Sequence, residues 1–119
     1  MERLKNKIAV ITGASSGIGA DISELFASEG ADVVVNYLSS KEKAEIVVKN
    51  IESLGRQALA IQADMSDKKA IDQLVKEVIE RFGKIDIWIN NAGADILTGD
   101  YANANTHEKL EKLTETDLV

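Results

Sequence analysis

Eight residues near the start, Thr12-Gly13-Ala14-Ser15-Ser16-Gly17-Ile18-Gly19, constrain this chain more than any others. They follow a short apolar run, Lys7 to Thr12 (KIAVIT), of the kind that forms a strand buried on both faces in a parallel sheet. After them, Ile18, Ile22, Leu25 and Phe26 recur at helical spacing, and Gly30 stands where a helix end wants a left-handed residue. Strand, glycine turn, helix and stop make one unit.

The unit then recurs. Asp32 to Tyr37 (DVVVNY) reads as a second strand, followed by Ser39 and Glu42 at capping-box spacing. The helix they open would present Ala44, Val47, Val48, Ile51 and Leu54 to the core and close at Gly55. A third strand is expected from about Gln57 to Ala63. A third helix starts after Ser66, with Ile71, Leu74, Val75, Val78, Ile79 and Phe82 as its stripe and Gly83 behind it. Ile85 to Asn90 reads as a fourth strand ending in Asn-Asn-Ala-Gly. Strands alternating with amphipathic helices predict an α/β fold: a three-layer α/β/α Rossmann-type parallel sheet of about four strands and three helices, incomplete as it stands. Residues 1–119 form one domain in this reading, with 93–119 as a loop and the start of another helix; Ala94 to His107 is polar and aperiodic.

In such a sheet, ligands sit beyond the carboxyl ends of the strands where the strand order reverses, beside the first strand-to-helix turn. Gly13 would allow a tight exit from the strand, and Gly17 would remove a side chain where a pyrophosphate approaches. Gly19 would let the helix press on the sheet. The free N–H groups at the helix start would face the phosphates, with Ser15 and Ser16 as further donors. A P-loop is excluded, because Ala20-Asp21 stand where its lysine and hydroxyl residue belong.

With 14 basic and 20 acidic residues and a net charge of −6, the chain is not built to grip nucleic acid or an anionic membrane. No apolar run approaches ~20 residues and Met1 to Asn6 lacks the apolar core of a signal peptide, so a cytoplasmic location is expected. Cysteine is absent and His107 is the one histidine, which leaves no metal site with the usual ligands.

The glycine turn after the first strand, Asp64 after the third and Asn90-Asn91-Ala92-Gly93 after the fourth together resemble the short-chain dehydrogenases/reductases, over essentially the whole chain. The resemblance implies an NAD(P)-dependent oxidoreductase that interconverts carbonyls and alcohols by hydride transfer. It implies that Gly13, Ser15, Ser16, Gly17, Ile18 and Gly19 hold the pyrophosphate and adenosine ribose. Asp64 would contact the adenine amino group, Met65 would add a backbone contact, and Asn91, Ala92 and Gly93 would line the ribose side. Asn90 would brace the central strands. Asn36 is expected at the ribose 2′ position, with Tyr37 at the adenine rim; a neutral residue there does not repel a 2′-phosphate, so NADP is favoured with NAD tolerated.

Similar proteins carry a catalytic serine and a tyrosine with a lysine four residues on. The one literal match, Tyr37-Leu38-Ser39-Ser40-Lys41, spans a strand-to-helix corner and is read as a decoy; after Tyr101, Asn105 occupies the lysine position. No catalytic residue is therefore assigned. Thr114 and Asp117 look like a helix start with only Leu118 and Val119 behind them, so a truncated C-terminus is expected. Ile85, Ile87, Trp88 and Ile89 would then lie on an unpaired edge prone to self-association. A non-catalytic dinucleotide-binding module, or a decayed gene product, is the competing expectation. His107 and the charged run from Lys109 to Glu115 read as solvated surface. Asp21 is a departure from the resemblance, either a favourable acid near the helix start or a mild obstacle to phosphate.

Overall fold

The computed structural model describes residues 2–92. Gly93, Tyr101, Asn105, His107 and the expected helix start at Thr114 lie outside the described residues. Strands β1 (Ile8–Ile11), β2 (Asp32–Tyr37), β3 (Ala58–Gln62) and β4 (Ile87–Ile89) alternate with helices α1 (Gly17–Ser28), α2 (Lys41–Ser53) and α3 (Lys68–Phe82). All strands are parallel and lie in the order β3-β2-β1-β4. The chain therefore steps outward from β1 to β3 and returns to the other side of β1, which places the reversal between β1 and β4.

Alternation along the strands divides the core. Ala9, Ile11, Val33 and Val35 face α1 and α2, together with Ala20, Ala27, Ala44, Val47 and Ile51. Ile8, Val10, Val34 and Ile61 face α3 through Leu74 and Val78. Trp88 pairs in register with Val10 and so points to the α3 side, where it is 36% exposed. Among the described residues β4 is the outer strand on its side.

Helix α1 differs from its apolar periodicity. Ile18 and Leu25 are exposed, at 67% and 58%, and Ile22 and Phe26 are half-buried. The buried face is made of Gly19, Ala20, Ser23 and Ala27. Small residues let the helix axis come close to the sheet, and Ser23 answers its own burial by donating to the Gly19 carbonyl at 2.8 Å.

One helix start is also shifted. Ser40 rather than Ser39 is the N-cap of α2, and its side chain makes no capping bond; Leu54, expected in the core, is exposed. Asp67 caps α3 and accepts from Lys69 N–H at 3.0 Å, while Ile79, expected in its stripe, is exposed. Both helices still follow their strands at the expected places.

Candidate functional site

The carboxyl ends of β1 and β4 are tied by a hydrogen-bond network that shapes the glycine turn. Thr12 is fully buried; its N–H donates to Ile89 O at 3.0 Å and its hydroxyl accepts from Ala92 N–H at 2.8 Å. The hydroxyl proton faces Asn90 Oδ1 at 3.3 Å and Ile89 O at 3.4 Å. Asn91 Nδ2 donates to Gly13 O at 3.1 Å. The Asn-Asn-Ala segment is thus a bracket on the turn, and Asn90 links the ends of β1 and β4.

Within the turn the three glycines answer different demands. Gly13 has φ +58°, and a Cβ there would stand 3.0 Å from Ala92 Cα. At Gly19 a Cβ would meet Gly13 O at 2.5 Å, Asn91 Nδ2 at 2.6 Å and Ala14 Cα at 2.9 Å, so this glycine exists for the packing of α1 on the turn. Around Gly17 there is nothing within 4 Å of the position a Cβ would take. Its φ of +59° favours glycine on backbone grounds, and a side chain there would occupy the open space above the helix start.

That space is suited to an anion. The first amides of α1 have no carbonyl partner within the helix, and the helix N-terminus carries partial positive charge. Ser16, the N-cap, is exposed, its side chain makes no capping bond, and the first turn holds no acidic residue. Ser15 is half-buried beside it, and Asp21, also exposed, lies beyond the first turn.

Asn36 differs from the expectation that its side chain faces the ribose. It is 2% exposed: Oδ1 accepts from Gly13 N–H at 3.2 Å, and Nδ2 donates to Ile61 O at 3.3 Å and Ala63 O at 3.1 Å. Its backbone carbonyl accepts from Ala14 N–H at 2.8 Å. The amide is turned inward because three strand ends converge there with unmet backbone groups. Leu38 and Ser39 are the exposed residues at this end of β2.

Tyr37 is buried in the core on the α1 and α2 side, whereas Lys41 is exposed at the start of α2, 4.0 Å from Glu45. The pair lies on two different elements, so the apparent Tyr-xxx-Lys spacing does not share a helix face. Asp64 is exposed just beyond β3; its Oδ1 accepts from Ser66 Oγ at 2.7 Å and Ser66 N–H at 2.9 Å. These bonds, the hydroxyl one first, hold its carboxyl below the usual carboxylate range. Met65 is half-buried against the α3 side of the core. The sequence signal for the inward role of Asn36 is a polar residue directly after the apolar run Val33 to Val35.

Residues 7–119 match the short chain dehydrogenase family. The chain belongs to that family. It is 44% identical to 3beta-hydroxysteroid dehydrogenase 1 of Eggerthella lenta, over 98% of this chain and 44% of the relative. Over 74% of this chain and 36% of the relative it is 47% identical to a 3-oxoacyl-(acyl-carrier-protein) reductase of Staphylococcus epidermidis. A crystal structure of a short chain dehydrogenase from Burkholderia cenocepacia in complex with NADP superposes with a TM-score of 0.72 at 50% identity, covering 74% of this chain and 36% of that one. The chain thus spans about two fifths of the length of the curated relatives it matches, 38% and 44% for two of them.

Proposed function

We propose that this chain is the dinucleotide-binding part of an NAD(P)-dependent oxidoreductase that moves hydride between a nicotinamide and a small carbonyl or alcohol. One observation carries the reading: the open surface at Gly17, at the start of α1 and beside the reversal between β1 and β4. A pyrophosphate seated there would take the amides of Gly17, Ile18 and Gly19, with the hydroxyls of Ser15 and Ser16 in reach of its oxygens. The adenosine would extend across β2 towards Asp64 and Met65, past Tyr37, with Asn91, Ala92 and Gly93 on the ribose side. When bound, the nicotinamide supplies the hydride acceptor or donor. No acid–base group of the reaction is assigned among residues 1–119, and the reading for them is binding.

NADP is favoured and NAD tolerated. Leu38 and Ser39, exposed at the end of β2, place no carboxylate against a 2′-phosphate, and Lys41 is the nearest cation in sequence. The crystal complex of the Burkholderia relative with NADP supports the same choice. A cytoplasmic location, without nucleic-acid or membrane partners, goes with this reading; among the described residues no helix is long and apolar enough to cross a membrane.

Titration with NADP and NAD, followed by Trp88 fluorescence, tests the proposal. Saturable binding that Gly17→Val abolishes is expected; a folded chain that binds neither nucleotide overturns it. The outer position of β4 and the exposure of Trp88 support a second element, self-association through that edge. Light scattering should show a mass that rises with concentration, and a concentration-independent monomer removes this element alone.

A further inference from the structure

We infer that Asn36 is a positioning residue of the dinucleotide site: its side-chain amide sets the separation between the phosphate turn at Gly13 and the end of β3 that leads into Asp64. The inference rests on the reading given under Proposed function and concerns a side chain that never touches the ligand. Strand β2 lies between β1 and β3, so a group at its end can reach both neighbours. Asn36 does so with every hydrogen-bonding position that matters: one acceptor on Gly13 N–H, and two donor hydrogens on Ile61 O and Ala63 O.

A primary amide matches this demand in a way no other side chain of its size does. It offers an acceptor oxygen and two N–H donors in one plane. Aspartate would keep the acceptor and turn oxygen lone pairs towards two carbonyl oxygens. Alanine would leave Gly13 N–H and the carbonyls without this partner, at a place too buried for water to substitute freely. The backbone of Asn36 reinforces the link, since its carbonyl takes the next amide of the turn, that of Ala14. Gly13 opens the phosphate turn, and Ala63 is followed directly by Asp64. One side chain therefore joins the two ends of the surface over which the ADP half of a dinucleotide would lie.

Fixing two half-sites relative to each other raises affinity for a ligand that spans both, with little effect on a ligand that uses one. The test compares wild type with Asn36→Ala, using NADP as the spanning ligand and adenosine and inorganic pyrophosphate as the pieces, with amide hydrogen exchange on the free chain. Asn36→Ala should weaken NADP on the order of tenfold while each piece changes by less than about twofold. Gly13 and Ala14 amides should exchange faster, with those of Val10 and Ile11 unchanged.

Equal NADP affinity in the variant, or parallel weakening of both pieces with faster exchange throughout β1, overturns the positioning role. Failure of the wild-type chain to bind NADP overturns the functional reading and this role with it, whereas failure confined to the comparison removes the role alone. Should Asn36→Ala not fold, Asn36→Ser carries the same comparison, because its hydroxyl fits the space and is too short to reach both neighbouring strands.

Discussion

At the amino ends of the strands, carboxylates close the backbone. Asp86 Oδ2 accepts from Ile8 N–H at 2.8 Å with Lys84 Nζ at 3.1 Å, and Asp32 Oδ1 accepts from Gln57 N–H at 2.9 Å with Arg56 Nε at 4.0 Å. At the carboxyl ends around the glycine turn, Thr12, Asn36 and Asn91 do the same work without charge. Both ends must satisfy strand backbone that the sheet ladder leaves over. Among the described residues, the carboxyl end is the one with open space above a helix start, at Gly17. A carboxylate capping Gly13 N–H would oppose any phosphate settling there, whereas an amide satisfies the same group without repulsion. The difference separates an end that closes the fold with charge from an end that closes it without, as the proposed anion site requires.

The largest break in this contrast is Gly19→Ala. The added methyl would meet backbone atoms of Gly13 and Ala14 at 2.5 and 2.9 Å, so α1 must move off the turn. A loss of ~1–3 kcal/mol in chemical denaturation is expected, with NADP binding lost as well. Next comes Thr12→Val, which preserves shape and removes the buried acceptor of Ala92 N–H. Unfolding free energy should fall by about 1–2 kcal/mol, and NADP affinity with it, because the bracket from β4 loosens.

Gly17→Ala sharpens the contrast, since packing does not oppose the methyl. Only the backbone does, through φ +59°, at about 1 kcal/mol. Stability should change little beyond that in a thermal melt, while NADP titration should show a clear loss, so the two readouts part company at this residue.

The smallest effect belongs to the other end. The hydrogen bond from Ile8 N–H, then Lys84, holds the Asp86 carboxyl below its usual 3.8. A carboxyl lowered in the folded state contributes fully above its unfolded value and loses that contribution as pH falls through the folded one. Asp86→Asn should therefore flatten the acid side of the stability profile, below about pH 4, and leave NADP binding at pH 7 unchanged. A variant whose binding falls at pH 7 would join the two ends that the comparison keeps apart.

The order of elements and the place of the glycine turn were legible because they depend on local signals: apolar runs, helical spacing and glycine stops. The buried face of α1 was not. Periodicity gives weight to bulk, so Ile18 and Leu25 drew the stripe; close approach at Gly19 instead buries Ala20, Ser23 and Ala27 and leaves the large residues outside. Asn36 was misread for a related reason. A polar residue at a strand end looks the same in sequence whether it faces a ligand or its neighbours' carbonyls, and the choice depends on which strands flank it. The decoy at Tyr37 and Lys41 was readable from the cap signal between them, even though the cap itself sits one residue later, at Ser40.

The bracket on the turn also has a history in time. Thr12 and Gly13 are made well before Asn91 and Ala92, 78 and 80 residues further on, whose bonds complete the bracket that Asn36 begins. At about 5–20 residues per second, the turn waits roughly 4–16 s between its synthesis and the arrival of its partners. Over that interval β1 can pair with β2 and gather α1 and α2, with Asn36 already on Gly13 N–H and the bonds from beyond β4 still to come. The complete bracket on the turn is therefore present only once β4 has docked.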